Sequence, residues 1–308
     1  ARRQLVNRPS MPTPAFTIGM VFRLYAFVAT VAREWKAGRM SVEQPGEQHR
    51  SMIFHAAVAA AMLFASFSCN RMEQTNNCFF TGETGGFLHG VLRLDKNPRP
   101  EKRRARPFWM RIKGFDGKTV WFEFLKSVLN GVGEGCFVFR DFDSRDGDPE
   151  RATIFLNSPL REGRLVHAIE CVIARVCDVT TDVAKRWAKH SARHFLMECS
   201  SARNVHPLKG VEIGRWSGST AQDPDLTPSQ RLNARHVLEA GKMPETYAPS
   251  TKVDRVKSIL GDEMQALDNL WEKIVRDAND VIFDAVVTIP VFGDFSPLQE
   301  WMADPSEV

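Results

Sequence analysis

A run of nineteen residues, 51–69, carries no formal charge. It just reaches membrane-spanning length. It is rich in alanine and contains His55, Ser51, Ser66 and Ser68, and a helix apolar on all sides is also what a large domain buries at its centre. We read it as a buried core helix ending near Asn70, with no membrane as partner. The chain of 308 residues is long enough for one large domain or two modest ones, and 43% apolar content is sufficient for a substantial core.

Periodicity supplies the rest of the framework. Ile18, Val21, Phe22, Tyr25, Val28 and Ala29 recur at helical spacing within 16–35. Arg23 interrupts that segment and no A-x-A site closes it, so it is not read as a secretory signal. Residues 85–94 and 106–112 read as strands; in the second, Phe108, Met110 and Ile112 alternate with Pro107, Trp109 and Arg111. Residues 119–129 predict a helix, 136–140 a short strand, and the acidic stretch 140–150 an exposed turn. Ser158 and Pro159 suggest the cap and first turn of a helix running to about Asp178. Asp182 is read as the next cap. A capping box at Thr227–Gln230 predicts a helix over 228–240. Val253, Val256, Leu260, Met264, Leu267, Trp271 and Ile274 form a long apolar stripe, with Gly261 as a candidate break. It suits a helix packed on its own core or on a neighbouring copy. Residues 281–292 are strand-like. The fold class is α+β, mainly α-helical with a small antiparallel sheet.

The net charge of +4 says little, but its distribution says more: nine Lys/Arg against two acids lie between 93 and 113. Such an excess suits a phosphate backbone. The six cysteines form no C-x-x-C pair, which fits reduced thiols in an intracellular protein.

The chemistry concentrates at 187–216. His190 and Arg193 lie three apart in a helical segment and share a face. They can present an imidazole and a cationic fork to one anion, arginine being suited to gripping phosphate through parallel N–H donors. Gly214-Arg215-Trp216 follows, and Trp216 offers an indole donor. Thirty residues separate it from Tyr247, and the only other tyrosine, Tyr25, lies upstream of these motifs. His190 and His194 are four apart, but a zinc helix of the H-E-x-x-H type needs glutamate where Ser191 stands.

The ordered set HSARH, IGRW and tyrosine resembles the catalytic domain of the tyrosine recombinases (phage-type integrases), and its GRW form is most similar to recombinases of eukaryotic mobile elements. The likeness runs from about residue 52 to 247 and is sharpest over 189–216. It implies a lead-in and first helix over 1–48, a catalytic domain over 49–250, and a C-terminal helix and tail over 251–308. The family's first catalytic arginine follows a buried helix, with an acid soon after. Arg71 and Glu73 match that placement, although Glu73 stands two residues on where three is usual. Apart from the resemblance, Arg71 reads as a helix-terminal arginine favoured by the dipole.

The family's catalytic lysine lies just past the first strand of a β-hairpin; Lys96 fits, with Lys102 as runner-up. Arg99, Lys102, Arg103, Arg104, Arg106 and Arg215 would hold DNA phosphates without chemistry. The implied activity is DNA strand cleavage and rejoining through a phosphotyrosyl intermediate. Tyr247 is the nucleophile, His190 assists its deprotonation, Arg71, Arg193 and Trp216 stabilise the transition state, and Lys96 acts as general acid. No metal or nucleotide cofactor is called for. Double-stranded DNA and further copies of the chain on it are the implied partners, in the nucleus if the source is eukaryotic. Fewer than about fifty residues precede the match, too few for the family's separate N-terminal DNA-clamping domain. The competing expectation is a catalytically inactive, DNA-binding remnant of such a recombinase.

Overall fold

Thr17 opens the first helix by accepting a hydrogen bond from the backbone N–H of Met20 at 3.1 Å, satisfying one of the donors that a helix start leaves orphaned. In the computed structural model, which describes residues 14–76, 78–92, 106–129, 137–187, 190–203 and 249–276, this helix, α1, spans Ile18–Lys36. Helix α2 follows at Glu47–Phe67, then a short α3 at Met72–Thr75. Strands β1 (Cys78–Thr84), β2 (Phe87–Leu92) and β3 (Arg106–Arg111) form an antiparallel sheet in that order. Helix α4 is Val120–Val128. Strands β4 (Arg140–Phe142) and β5 (Phe155–Pro159) form a second antiparallel pair, with a 3-10 turn at Pro149–Arg151 between them. Helices α5 (Glu162–Cys177), α6 (Thr181–Ala184), α7 (Ser191–Ala202) and α8 (Pro249–Val275) complete the described elements.

The uncharged run is the axis of the fold. From Ile53 to Phe67 every residue of α2 is buried, including His55 and Ser66. Its 21 residues are apolar enough to cross a membrane by length and composition, and 83% of its most apolar stretch is buried inside the protein. Helices α1, α4, α5 and α7 all pack on it. The three-stranded sheet closes another side, where Phe64 meets Phe108 edge-on with ring centroids 5.6 Å apart. Its internal hydroxyls are satisfied locally: Ser66 donates to the Met62 carbonyl at 2.9 Å and Ser68 to that of Phe64 at 2.6 Å. One continuous core takes in residues from Phe16 to Trp271. The charge that interrupts α1 is accommodated, because Arg23 is buried and donates to the Cys177 carbonyl at 2.8 Å, at the end of α5.

Several elements differ from the sequence reading. Residue Ser158 does not cap a helix. It lies in β5, where Pro159 pairs with Arg140 and the Leu160 N–H reaches the Phe139 carbonyl at 2.8 Å, so the helix starts at Glu162. Proline was tolerated there as the last residue of a strand. Thr180, not Asp182, caps α6. The strand expected at 136–140 is Arg140–Phe142, and the acidic stretch after it is not simply exposed, since Asp141 and Ser144 are buried. Strand β1 was not expected at all. Gly261 does not break α8, because burial of Leu260 and Met264 on either side outweighs a penalty of about 1 kcal/mol for one helical glycine. From Lys257 onward α8 packs on this chain's own core: Trp271 stacks on Phe115 with centroids 5.7 Å apart and meets Phe22 and Tyr25 edge-on. The helix expected over 228–240 and the strand over 281–292 lie outside the described residues.

Candidate functional site

Helix α2 ends in a reversal that delivers Arg71. The Asn70 N–H bonds the Ala65 carbonyl at 3.0 Å and the Cys69 N–H that of Ser66 at 3.3 Å, the two bonds of a Schellman motif. The left-handed position of that motif normally belongs to glycine, yet Cys69 holds it at φ 50°. A side chain there costs about 1 kcal/mol, and local backbone strain of this kind clusters at functional sites. Asn70 fixes the turn by donating to the Ser68 hydroxyl at 2.9 Å. Because the turn itself satisfies the helix end, Arg71 is not needed as the cap. It leaves α2 half-buried, and its carbonyl accepts from Thr75 in α3 at 3.3 Å.

Helix α7 brings the second arginine. His190 immediately precedes it, and its carbonyl accepts the Arg193 N–H at 3.1 Å. Ser191, Ala192, Phe195, Leu196 and Cys199 are fully buried, and the helix packs against α2. Two contacts with the start of the chain seat it: Phe16 N–H to the Ser191 carbonyl at 3.3 Å, and Trp187 Nε1 to the Ala15 carbonyl at 3.1 Å. Arg193 and His194 sit half-buried at the margin of this packed face. The His194 imidazole is held below its ordinary range by burial first, then by the Arg193 and Arg71 guanidiniums. Two arginines from distant parts of the chain thus add to burial in disfavouring the charged form of one imidazole. That convergence could bind a dianion or a developing oxyanion, where preorganised cationic donors are most effective.

The hairpin expectation is met in outline. Strand β2 pairs with β3 from Phe87–Arg111 through to Leu92–Arg106, so residues 93–105 connect the two paired ends. Lys96, Arg99, Lys102, Arg103 and Arg104 belong to that connection and lie outside the described residues, as do Arg215, Trp216 and Tyr247. Arg106 is placed by its backbone at the start of β3, opposite Leu92. Glu73 is likewise placed by its backbone alone, in α3.

The remaining tyrosine is unsuited to nucleophilic work. Tyr25 is 1% exposed, its hydroxyl donates to Asp116, and burial together with the Asp116 carboxylate pushes its pKa well above 10. Three features were missed in the sequence. His194 was weighed only as a zinc ligand, whereas its setting is cationic; among the described residues no three His, Cys, Asp or Glu side chains gather as a metal site. Glu263 and Asp268 are buried on the inner face of α8, where the apolar spacing drew attention to their neighbours. Arg111, which alternates with the apolar residues of its strand, grips Asp268 through two hydrogen bonds of 2.6 Å. No protein family, no characterised protein and no solved structure matches the chain.

Proposed function

We propose that the protein cleaves and rejoins double-stranded DNA through a phosphotyrosyl intermediate, in the manner of a tyrosine recombinase acting for a mobile element. The observation that carries this reading is that α2 and α7 pack together, and that Arg71 and Arg193, far apart in the chain, both bear on the electrostatics of His194. The burial of Tyr25 supports it, because Tyr247 is the only other tyrosine in the chain. The β2–β3 pairing supports it too, since Lys96 falls in the connection between two strands.

In the proposed reaction the Tyr247 phenolate attacks the scissile phosphorus, forming a P–O bond as the bond to the 5′-oxygen breaks. An unperturbed tyrosine has a pKa near 10, so a base or a positive field must assist; His190 is assigned that task. Arg71 and Arg193 hold the non-bridging oxygens as charge grows on them, each contributing about 3–4 kcal/mol to the transition state. Trp216 adds a donor. Lys96 gives a proton to the departing oxygen, and religation reverses the steps without outside energy. Arg99, Lys102, Arg103, Arg104, Arg106 and Arg215 grip the backbone, and several copies assemble on one DNA inside the cell.

A nicked suicide duplex, from which the cleaved fragment diffuses away, tests the proposal. Wild-type protein is expected to form a covalent adduct that survives denaturation. Tyr247→Phe is expected to bind the duplex without forming it. An adduct that persists in the variant refutes the nucleophile. Binding with no adduct even by wild type would favour the catalytically silent DNA-binding remnant.

A further inference from the structure

Two acids lie buried in the apolar face of α8, each opposite an arginine from a different part of the chain. Asp268 meets Arg111 of β3 in a two-pronged pair, both bonds 2.6 Å, with side chains 12% and 13% exposed. Arg111 also donates to the carbonyls of Lys113 and Gly114 at 3.1 and 3.2 Å, which fixes its fork in the chain just after the strand. Glu263, one turn and a half earlier in α8, lies 3.1 Å from Arg203, directly after α7. The second Glu263 oxygen is buried without a hydrogen bond among the described residues. Burial raises the pKa of both acids, with the arginines pulling the other way. Packing alone would be served better by apolar residues at these positions, since replacing a buried ion pair by well-fitted apolar groups is often neutral or stabilising.

The elements joined are those the proposed chemistry needs. Strand β3 is one arm of the hairpin whose connection contains Lys96, and α7, which begins directly after His190, carries Arg193. Helix α8 begins at Pro249, two residues after Tyr247. Its Lys257 also approaches β2, where it helps burial keep His89 below its ordinary pKa. We infer that α8 is a clamp, and that Glu263 and Asp268 are positioning residues which fix α7 and β3 in register for strand cleavage. This rests on the recombinase reading. It assigns the two acids no contact with DNA.

The test uses the full chain and the isosteric variants Glu263→Gln and Asp268→Asn, which keep shape and remove charge. A third protein carries the exchanged pair, Arg203→Glu with Glu263→Arg. Single-turnover cleavage of the nicked duplex, duplex affinity and amide hydrogen exchange are measured on each. The clamp predicts cleavage at least tenfold slower in the two single variants, with affinity within twofold of wild type. It also predicts exchange at least tenfold faster within 191–202 for Glu263→Gln and within 106–111 for Asp268→Asn, leaving 162–177 unchanged. The exchanged pair is expected to regain more than half of the lost rate. Unchanged cleavage and exchange would overturn the inference, as would parallel loss of affinity and rate or a uniform rise in exchange across the chain. If the exchanged pair fails to fold, the single variants decide. If wild-type protein cleaves nothing, the recombinase reading falls and the role in cleavage falls with it, while exchange still decides whether α8 is a clamp: local loosening at the named segments upholds the clamp, and its absence overturns it.

Discussion

Removing the Trp271 side chain, by Trp271→Ala, tests whether α8 is seated on its own chain. The indole is 2% exposed and lies among three rings: Phe115 stacked at 5.7 Å, Phe22 at 5.2 Å and Tyr25 at 5.1 Å, the last two edge-on. Truncating a buried tryptophan to alanine typically costs about 3–5 kcal/mol, and the three ring contacts place this site in the upper half, at about 4 kcal/mol. That is a large share of a total stability of about 5–15 kcal/mol. With a urea dependence of about 3 kcal/mol per molar, the unfolding midpoint should fall by about 1.3 M. Urea unfolding followed at several protein concentrations is the assay. Seating within one chain predicts a midpoint independent of concentration, because no partner binds only the folded state. A loss below about 1 kcal/mol, or a wild-type midpoint that climbs with concentration, would refute the reasoning and move the helix onto another copy.

Changing Arg71 or Arg193 to lysine keeps the charge and loses the fork, so cleavage of the nicked duplex should fall at least about a hundredfold with affinity nearly intact; equal losses in both would mean plain phosphate anchoring. His55 is buried with its Nδ1 2.7 Å from the Ser51 carbonyl, and burial holds its pKa below 6.5. The unfolded chain therefore takes up a proton that the native imidazole resists, and stability present at pH 7 is lost as pH falls through about 6.5. His55→Gln should flatten the urea midpoint between pH 7 and 5, and an unaltered slope would contradict the assignment. Because α8 is seated on its own core and begins two residues after Tyr247, the tyrosine is expected to serve its own active site. A mixture of Tyr247→Phe and Arg193→Ala proteins should stay inactive, and recovered cleavage would show delivery to a partner.

What the sequence disclosed depended on whether the signal was local. The apolar run of α2, the stripe of α1 and the alternation of β3 are each set by neighbours in the chain, and each appears within a few residues of where periodicity puts it. Strand β1 escaped because its second half, Thr81 to Thr84, is exposed and polar, leaving no alternation to read. Pro159 misled because a proline after serine fits a helix start, while pairing with Arg140 made it a strand end. At the site, the order of motifs was legible, but the approach of Arg71 to His194 arises from α2 and α7 packing together across the chain. The acids of α8 escaped for a related reason. In an amphipathic helix Glu263 and Asp268 pass for the solvated face until their arginines, sixty and more than a hundred and fifty residues earlier, are placed beside them.

The central position of α2 also sets a schedule. Its first partner, α1, is already made when α2 leaves the ribosome, but α5 and α7, which cover other faces, end at Cys177 and Ala202. At about 5–20 residues per second, the wait for the last of these is on the order of ten seconds. Throughout that interval the newborn chain displays a 21-residue helix apolar enough to cross a membrane, with much of its final cover still untranslated. The segment that organises the finished protein is therefore open to chaperones, to targeting factors and to aggregation while the protein is being made.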